Sequence, residues 1–145
     1  MGVFSAMNIS ATGMTAQQTR IDIISQNIAN ANSTRSNGSE AYRRKTVVMA
    51  EKRNTAFGNV LETCMGQAYT GVKITGIATD MSDLKMVYDP DHPDADENGY
   101  VYYPNVNTVQ EMTDMIDASR SYEANVTAFE AAKSMAMKGL EIIER

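Results

Sequence analysis

From Asn105 to Arg145 the chain has no proline and a single glycine, Gly139. Stepping alternately by three and four from Met112 meets Met112, Met115, Ser119, Tyr122, Val126, Phe129, Lys133, Ala136, Leu140 and Ile143, and all but Ser119 and Lys133 are apolar or aromatic. A heptad seam sustained this far predicts a long helix gripping another helix, not a short amphipathic helix on a globular core. Thr108 and Glu111 fit a capping box, the hydroxyl taking the amide hydrogen of residue 111 and the carboxylate reaching back to that of residue 108. Glu111, Asp114 and Asp117 near the start, with Lys138 and Arg145 near the end, suit the helix dipole. At a 1.5 Å rise per residue the stretch makes a rod of about 60 Å, longer than one domain of this size needs. Neighbours outside the chain are expected to cover it.

The opening of the chain repeats that logic. Met7, Met14, Ile21 and Ile28 fall at strict sevens, with Phe4 and Ala11 at alternate positions before Gln18 and Ser25 weaken that side. This predicts a second helix from about Ser5 to Asn30, in which Gly13 costs about 1 kcal/mol against alanine. Asn27 to Thr34 reads as its end, where side chains hydrogen-bond their own backbone, and Arg35 to Glu40 reads as a loop. Tyr42 to Met49, Val72 to Ala78, Leu84 to Tyr88 and Tyr100 to Tyr103 carry strand patterns. Residues 50 to 70 read as a flexible insertion or short strands. Pro90, Pro93 and a run of acidic side chains between Asp89 and Gly99 predict a hairpin with a stiff loop. The expected fold class is α+β: long N- and C-terminal helices forming a coiled-coil-like layer around a small β-rich middle. Its expected divisions are 1–34, 35–104 and 105–145.

Charge and composition narrow the function. A net charge of -5 argues against a nucleic-acid binder, which needs a basic face to release counterions. The run Arg43, Arg44 and Lys45 reads as a solvated strand or loop face. Cys64 is the only cysteine, so no intrachain disulfide or cysteine-rich zinc site is available; it reads as a small packed side chain. No basic region precedes an apolar run at the N-terminus, so no cleavable secretory signal is expected. No apolar window reaches the length of a membrane span.

Asp94, Asp96, Asn98 and Gly99 match the opening of a calcium loop, but the closing position holds Asn105 where a glutamate belongs, and Pro93 and Pro104 deny it flanking helices. The loop is expected to be an exposed, proline-stiffened turn and not a metal site. His92 is the only histidine and sits between prolines, so no Ser-His-Asp set exists without it, and no phosphate-cradling glycine loop is present. No enzyme activity, small-molecule substrate or cofactor is expected. Eleven methionines, with Met7, Met14, Met112 and Met115 on the seams, suit an interface repeated against non-identical neighbours, or plain core filling. The expected assembly contacts are Met7, Met14, Ile21, Ile28, Tyr122, Val126, Phe129, Leu140 and Ile143. A soluble coiled-coil adaptor forming a discrete dimer is the rival reading.

Four stretches carry a resemblance: NIANANST at 27–34, YRRKTVV at 42–48, YDPDHPDADENGYVYYPNV at 88–106 and EMTDMIDASRSYEANVTAFEAAKSMAM at 111–137. The chain resembles the FlgC family of proximal rod proteins of the bacterial flagellar basal body. The asparagine-rich stretch suits the wider rod and hook superfamily, whereas the loop leading into PNV is particular to this member. The resemblance implies a structural subunit of the axial rod, partnered by copies of itself and other rod proteins. It also implies export through the flagellar type III apparatus, which reads an uncleaved N-terminal segment, with the terminal helices near 1–32 and 105–145 lining the inner tube. Ser36, Asn37, Gly38 and Ser39 stand where the family pattern leads one to expect a proline and paired glycines.

Overall fold

The computed structural model describes residues 3–34, 40–52 and 71–143. Helix α1 runs Val3–Ala29, strands β1 to β4 run Lys45–Glu51, Val72–Thr79, Lys85–Tyr88 and Tyr100–Tyr103, and helix α2 runs Thr108–Ile143. The fold is α+β, as the periodicities predict, with two long terminal helices and two two-stranded sheets, β1 with β2 and β3 with β4. The first strand begins at Lys45 and not at Tyr42; just ahead of it the Arg44 amide is taken by the Asn105 side chain. Cys64, the loop over residues 35–39 and most of the uncertain 50–70 stretch lie outside the described residues.

The start of α2 is a correction. The amides of Val109 and Gln110 point to Asn107 Oδ1 at 3.1 and 3.5 Å, and that of Glu111 to the Asn107 carbonyl at 2.9 Å. Asn107 is therefore the cap, and the Thr108–Glu111 box does not form. Glu111 has another engagement, given below.

The chain divides into two compact units. One comprises Met1–Thr19, Val48–Gly76 and Ala118–Arg145. Here α1 and α2 approach at Gly13, where a Cβ would lie 2.8 Å from Asn125 Oδ1. Gly13 is thus not merely a weak point in α1; its missing side chain is what admits Asn125. Ser10, Ala16, Ala118 and Ala132 are the buried positions of the helices within this unit, all small. Thr12 Oγ1 accepts the Val72 amide at 3.2 Å, seating the start of β2 on α1. Gly71 precedes it at φ +83, a left-handed conformation that glycine adopts without strain, and a Cβ there would lie 2.3 Å from Thr12 Oγ1.

The other unit comprises Arg20–Val47 and Ile77–Asp117. Its core holds Ile23, Ile24, Ala31, Ala41 and Val101, together with the polar Asn27 and Glu111. Strands β3 and β4 pair antiparallel, Lys85 with Tyr103 and Tyr88 with Tyr100. The Tyr88 and Tyr100 rings meet edge to face at 5.3 Å. The connecting loop turns at Gly99, φ +77, where the Gly99 amide donates to the Asp96 carbonyl at 2.8 Å. Its acidic tip is not simply an exposed turn: Thr34 Oγ1 donates to Asp94 at 2.6 Å, tying the loop to the segment after α1.

The burial pattern of α2 also differs from the expected seam. The least exposed positions are Glu111, Ala118 and Ala132, each one residue before the Met112, Ser119 and Lys133 of that seam, and Met112 and Lys133 are exposed. The other half of the seam, Met115, Tyr122, Phe129 and Ala136, is half-buried. Ala118 and Ala132 are small because closely approaching helices leave little room between their backbones.

Candidate assembly surface and the buried polar clasp

Asn27 is 1% exposed and uses every hydrogen-bonding position it has. Its Nδ2 donates to the Lys45 carbonyl at 2.8 Å and to Glu111 Oε2 at 2.9 Å; its Oδ1 accepts from the Lys45 amide at 3.0 Å and from Tyr42 Oη at 2.9 Å. The segment 27–34 was expected to spend its side chains on its own backbone. Asn30 and Ser33 do so, at 2.8 Å each, whereas Asn27 and Thr34 reach distant segments.

Glu111 has no exposed surface, and its other oxygen takes Arg44 Nε at 2.6 Å. Arg44 Nη2 continues to Asp114 at 3.4 Å, and Arg20 reaches the same carboxylate at 3.8 Å. The basic run is therefore not a solvated face, since Arg44 neutralises a carboxylate that could not stay charged alone in the interior. Asn105 completes the arrangement by accepting the Arg44 amide at 2.8 Å and donating to Ser82 Oγ at 2.8 Å. Lys45 Nζ lies 5.4 Å above the Tyr42 ring. Burial, and then the negative charge of Glu111, raise the Tyr42 hydroxyl above the ordinary 10.0.

These residues come from the four stretches that carry the resemblance: Asn27, the 42–45 run, Asn105 and Glu111. Sequence reading quoted all of them but did not join them. The signal was available in the unpaired arithmetic of a lone dense basic run and a carboxylate at a helix start. The clasp joins α1, the segment entering β1 and the start of α2. Among the described residues no cluster of three or more histidine, cysteine, aspartate or glutamate side chains is set to hold a metal.

The expected assembly contacts sit elsewhere. Met7, Met14, Ile21, Ile28, Tyr122, Val126 and Phe129 are half-buried, and the side chain of Ile143 lies outside the described residues. Met14 and Tyr122 come together with Ala11, Thr15, Gln18 and Thr19 around an open groove of about 430 Å³. Leu140 is 62% exposed, and it is not alone: Phe4, Val109, Met112, Ile116, Met135, Met137 and Ile142 also present most or more than half of their surface to solvent. Of these large side chains only Phe4, Met112 and Leu140 lay on the expected seams. The rest were missed because they fall outside the heptad face. Among the described residues no helix is long and apolar enough to cross a membrane.

Comparison with known proteins agrees with both helices. Residues 97–142 match the family described as flagellar basal body rod FlgEFG protein C-terminal, and residues 7–35 match the flagella basal body rod protein family. The flagellar basal-body rod protein FlgC of Borreliella burgdorferi is 44% identical over 154 residues, covering 99% of this chain and 99% of that protein. The FlgC protein of Bacillus subtilis is 44% identical over 148 residues, covering 98% and 99%. That of Salmonella typhimurium is 35% identical over 142 residues, covering 98% of each. With relatives this similar along nearly its whole length, the chain belongs to the FlgC family and is a structural subunit of the bacterial flagellar basal-body rod.

Proposed function

We propose that the subunit assembles through its terminal segments, 1–34 and 105–145, with copies of itself and other rod proteins, and that the assembly transmits torque without catalysing any reaction. The observation that carries this reading is the large apolar surface left open on the terminal helices, from Phe4 at 79% exposed to Ile142 at 77%. Surface of that kind on a soluble chain marks a place another protein covers. The groove holding Met14 and Tyr122 supports the same reading, since side chains spaced along one helix face and walled by an aromatic ring make a trough of the kind a further helix fills. Met7, Met14, Ile21, Ile28, Tyr122, Val126, Phe129, Leu140 and Ile143 are the proposed contacts, and the chain reaches the rod through the flagellar type III apparatus without a cleaved signal.

The test is the pair Leu140→Glu and Ile142→Glu, scored for rod assembly in cells with export of the subunit measured separately. Both side chains are already in solvent, so each substitution should change the stability of the isolated chain by no more than about 0.5 kcal/mol. Loss of rods with export and stability intact is the expected result. Normal rods from both variants would overturn the proposal.

A further inference from the structure

Strands β3 and β4 set their side chains on two faces, since residues paired across an antiparallel ladder share a face and neighbours along a strand alternate. On one face Val101 goes inward and is fully buried. The register Met86 with Tyr102 and Tyr88 with Tyr100 puts those four side chains together on the other. Met86, Tyr88 and Tyr100 are 58%, 64% and 40% exposed, and Tyr102 is half-buried. The charge beside them is of one sign. From Met86 to Asn107 the chain carries five carboxylates, Asp89, Asp91, Asp94, Asp96 and Glu97, and no lysine or arginine. Asp94 is held by Thr34, while the other four are exposed and have no basic partner among the described residues. Lys85, the one base in the hairpin, belongs to the face of Val101.

We infer that this face of the hairpin is a docking site for a protein of basic surface, distinct from this chain. Tyrosine and methionine are enriched at the centres of protein interfaces, and the sign of the charged rim selects the partner. Arginine or lysine side chains of such a partner would lay their stems on the tyrosine rings and bring their heads to Asp89 and Asp91. A second copy is a poor occupant. Its net charge is -5, Arg20 and Arg44 are already spent on Asp114 and Glu111, and Arg43 donates to the Ser82 carbonyl. The same carboxylates repel nucleic acid and anionic lipid. The Tyr88 and Tyr100 rings stand 67° apart, so they make no flat platform on which a base or a sugar would stack. Docking here is independent of the terminal-helix contacts and rests only on the chain's place in the basal-body rod.

The experiment uses the full chain in assembled basal bodies, with the photo-cross-linker p-benzoylphenylalanine introduced at Tyr88 or, in a second strain, at Met86. Both side chains are in solvent, so neither change should disturb the fold. Mass spectrometry of the cross-linked product is expected to give the same foreign polypeptide from both positions, attached through a segment richer in lysine and arginine than in acid. Asp89→Lys with Asp91→Lys should lower the yield about tenfold, the scale of two rim charges turned from attraction to repulsion. Changing the bases of the cross-linked segment to glutamate in that background should recover it. Attachment to a second copy of this chain, to an acidic segment or to glycan overturns the inference. So does the absence of a cross-link from both positions, or a yield indifferent to the charge reversal. Normal rods without the cross-link strike this docking site alone, whereas Leu140→Glu and Ile142→Glu bear on the helices.

Discussion

Arg44 is the residue on which the interior of its unit turns, because Glu111 is wholly buried and holds the guanidinium at 2.6 Å. Arg44→Ala strands that carboxylate with only the Asn27 amide for company, and is expected to destabilise the chain by about 3 kcal/mol in urea unfolding, against a smaller loss for Glu111→Gln, which removes the charge as well. Tyr42 makes a second measurement. Its hydroxyl is held above the ordinary 10.0 by burial and then by Glu111. Folding therefore favours the protonated ring, a contribution present below pH 10 and lost as pH rises through the higher folded value. Thermal melts should fall above pH 10, and Tyr42→Phe should flatten that fall while losing the hydrogen bond to Asn27. The sequence showed Glu111 and Arg44 plainly but suggested the wrong partners. A glutamate three residues past a threonine satisfies a local rule, and only the fold reveals a competing partner 67 residues away in sequence.

Helices α1 and α2 were legible in existence, in type and within a few residues in extent, because uninterrupted apolar periodicity over such lengths admits little else. Their inner faces were not. Hydropathy favours large apolar side chains, and Ile23 and Ile24 are indeed buried, yet where the two helices meet the inner positions are Gly13, Ala16, Ala118, Asn125 and Ala132, while several large side chains face solvent. The cap separates the two readings directly: Asn107→Ala should cost about 1 kcal/mol, and Thr108→Ala much less. The two helical glycines should behave oppositely. At Gly139 a Cβ meets nothing within 4 Å, so Gly139→Ala should stabilise by about 0.5–1 kcal/mol. Gly13→Val should destabilise, and Asn125→Ala should relieve part of that loss in a double-mutant cycle, since the Asn125 side chain is what the new atoms strike.

For the whole molecule, stability and assembly are expected to separate by location. Substitutions in the clasp lower the unfolding free energy, whereas substitutions at Leu140 or Ile142 leave it alone and abolish rods. The β-rich middle was readable as strands from β-branched alternation, but not as two independent pairs, since nothing in a strand pattern names its partner. The motifs behind the family resemblance were visible as strings; that they meet around Asn27 is a property of the folded chain alone.

Asn27 and its partner Glu111 are 84 residues apart. A polypeptide cut short anywhere ahead of α2 would take from the Asn27 amide the carboxylate that receives one of its hydrogens, leaving the other on the Lys45 carbonyl, so the last helix is what completes the seat of the first.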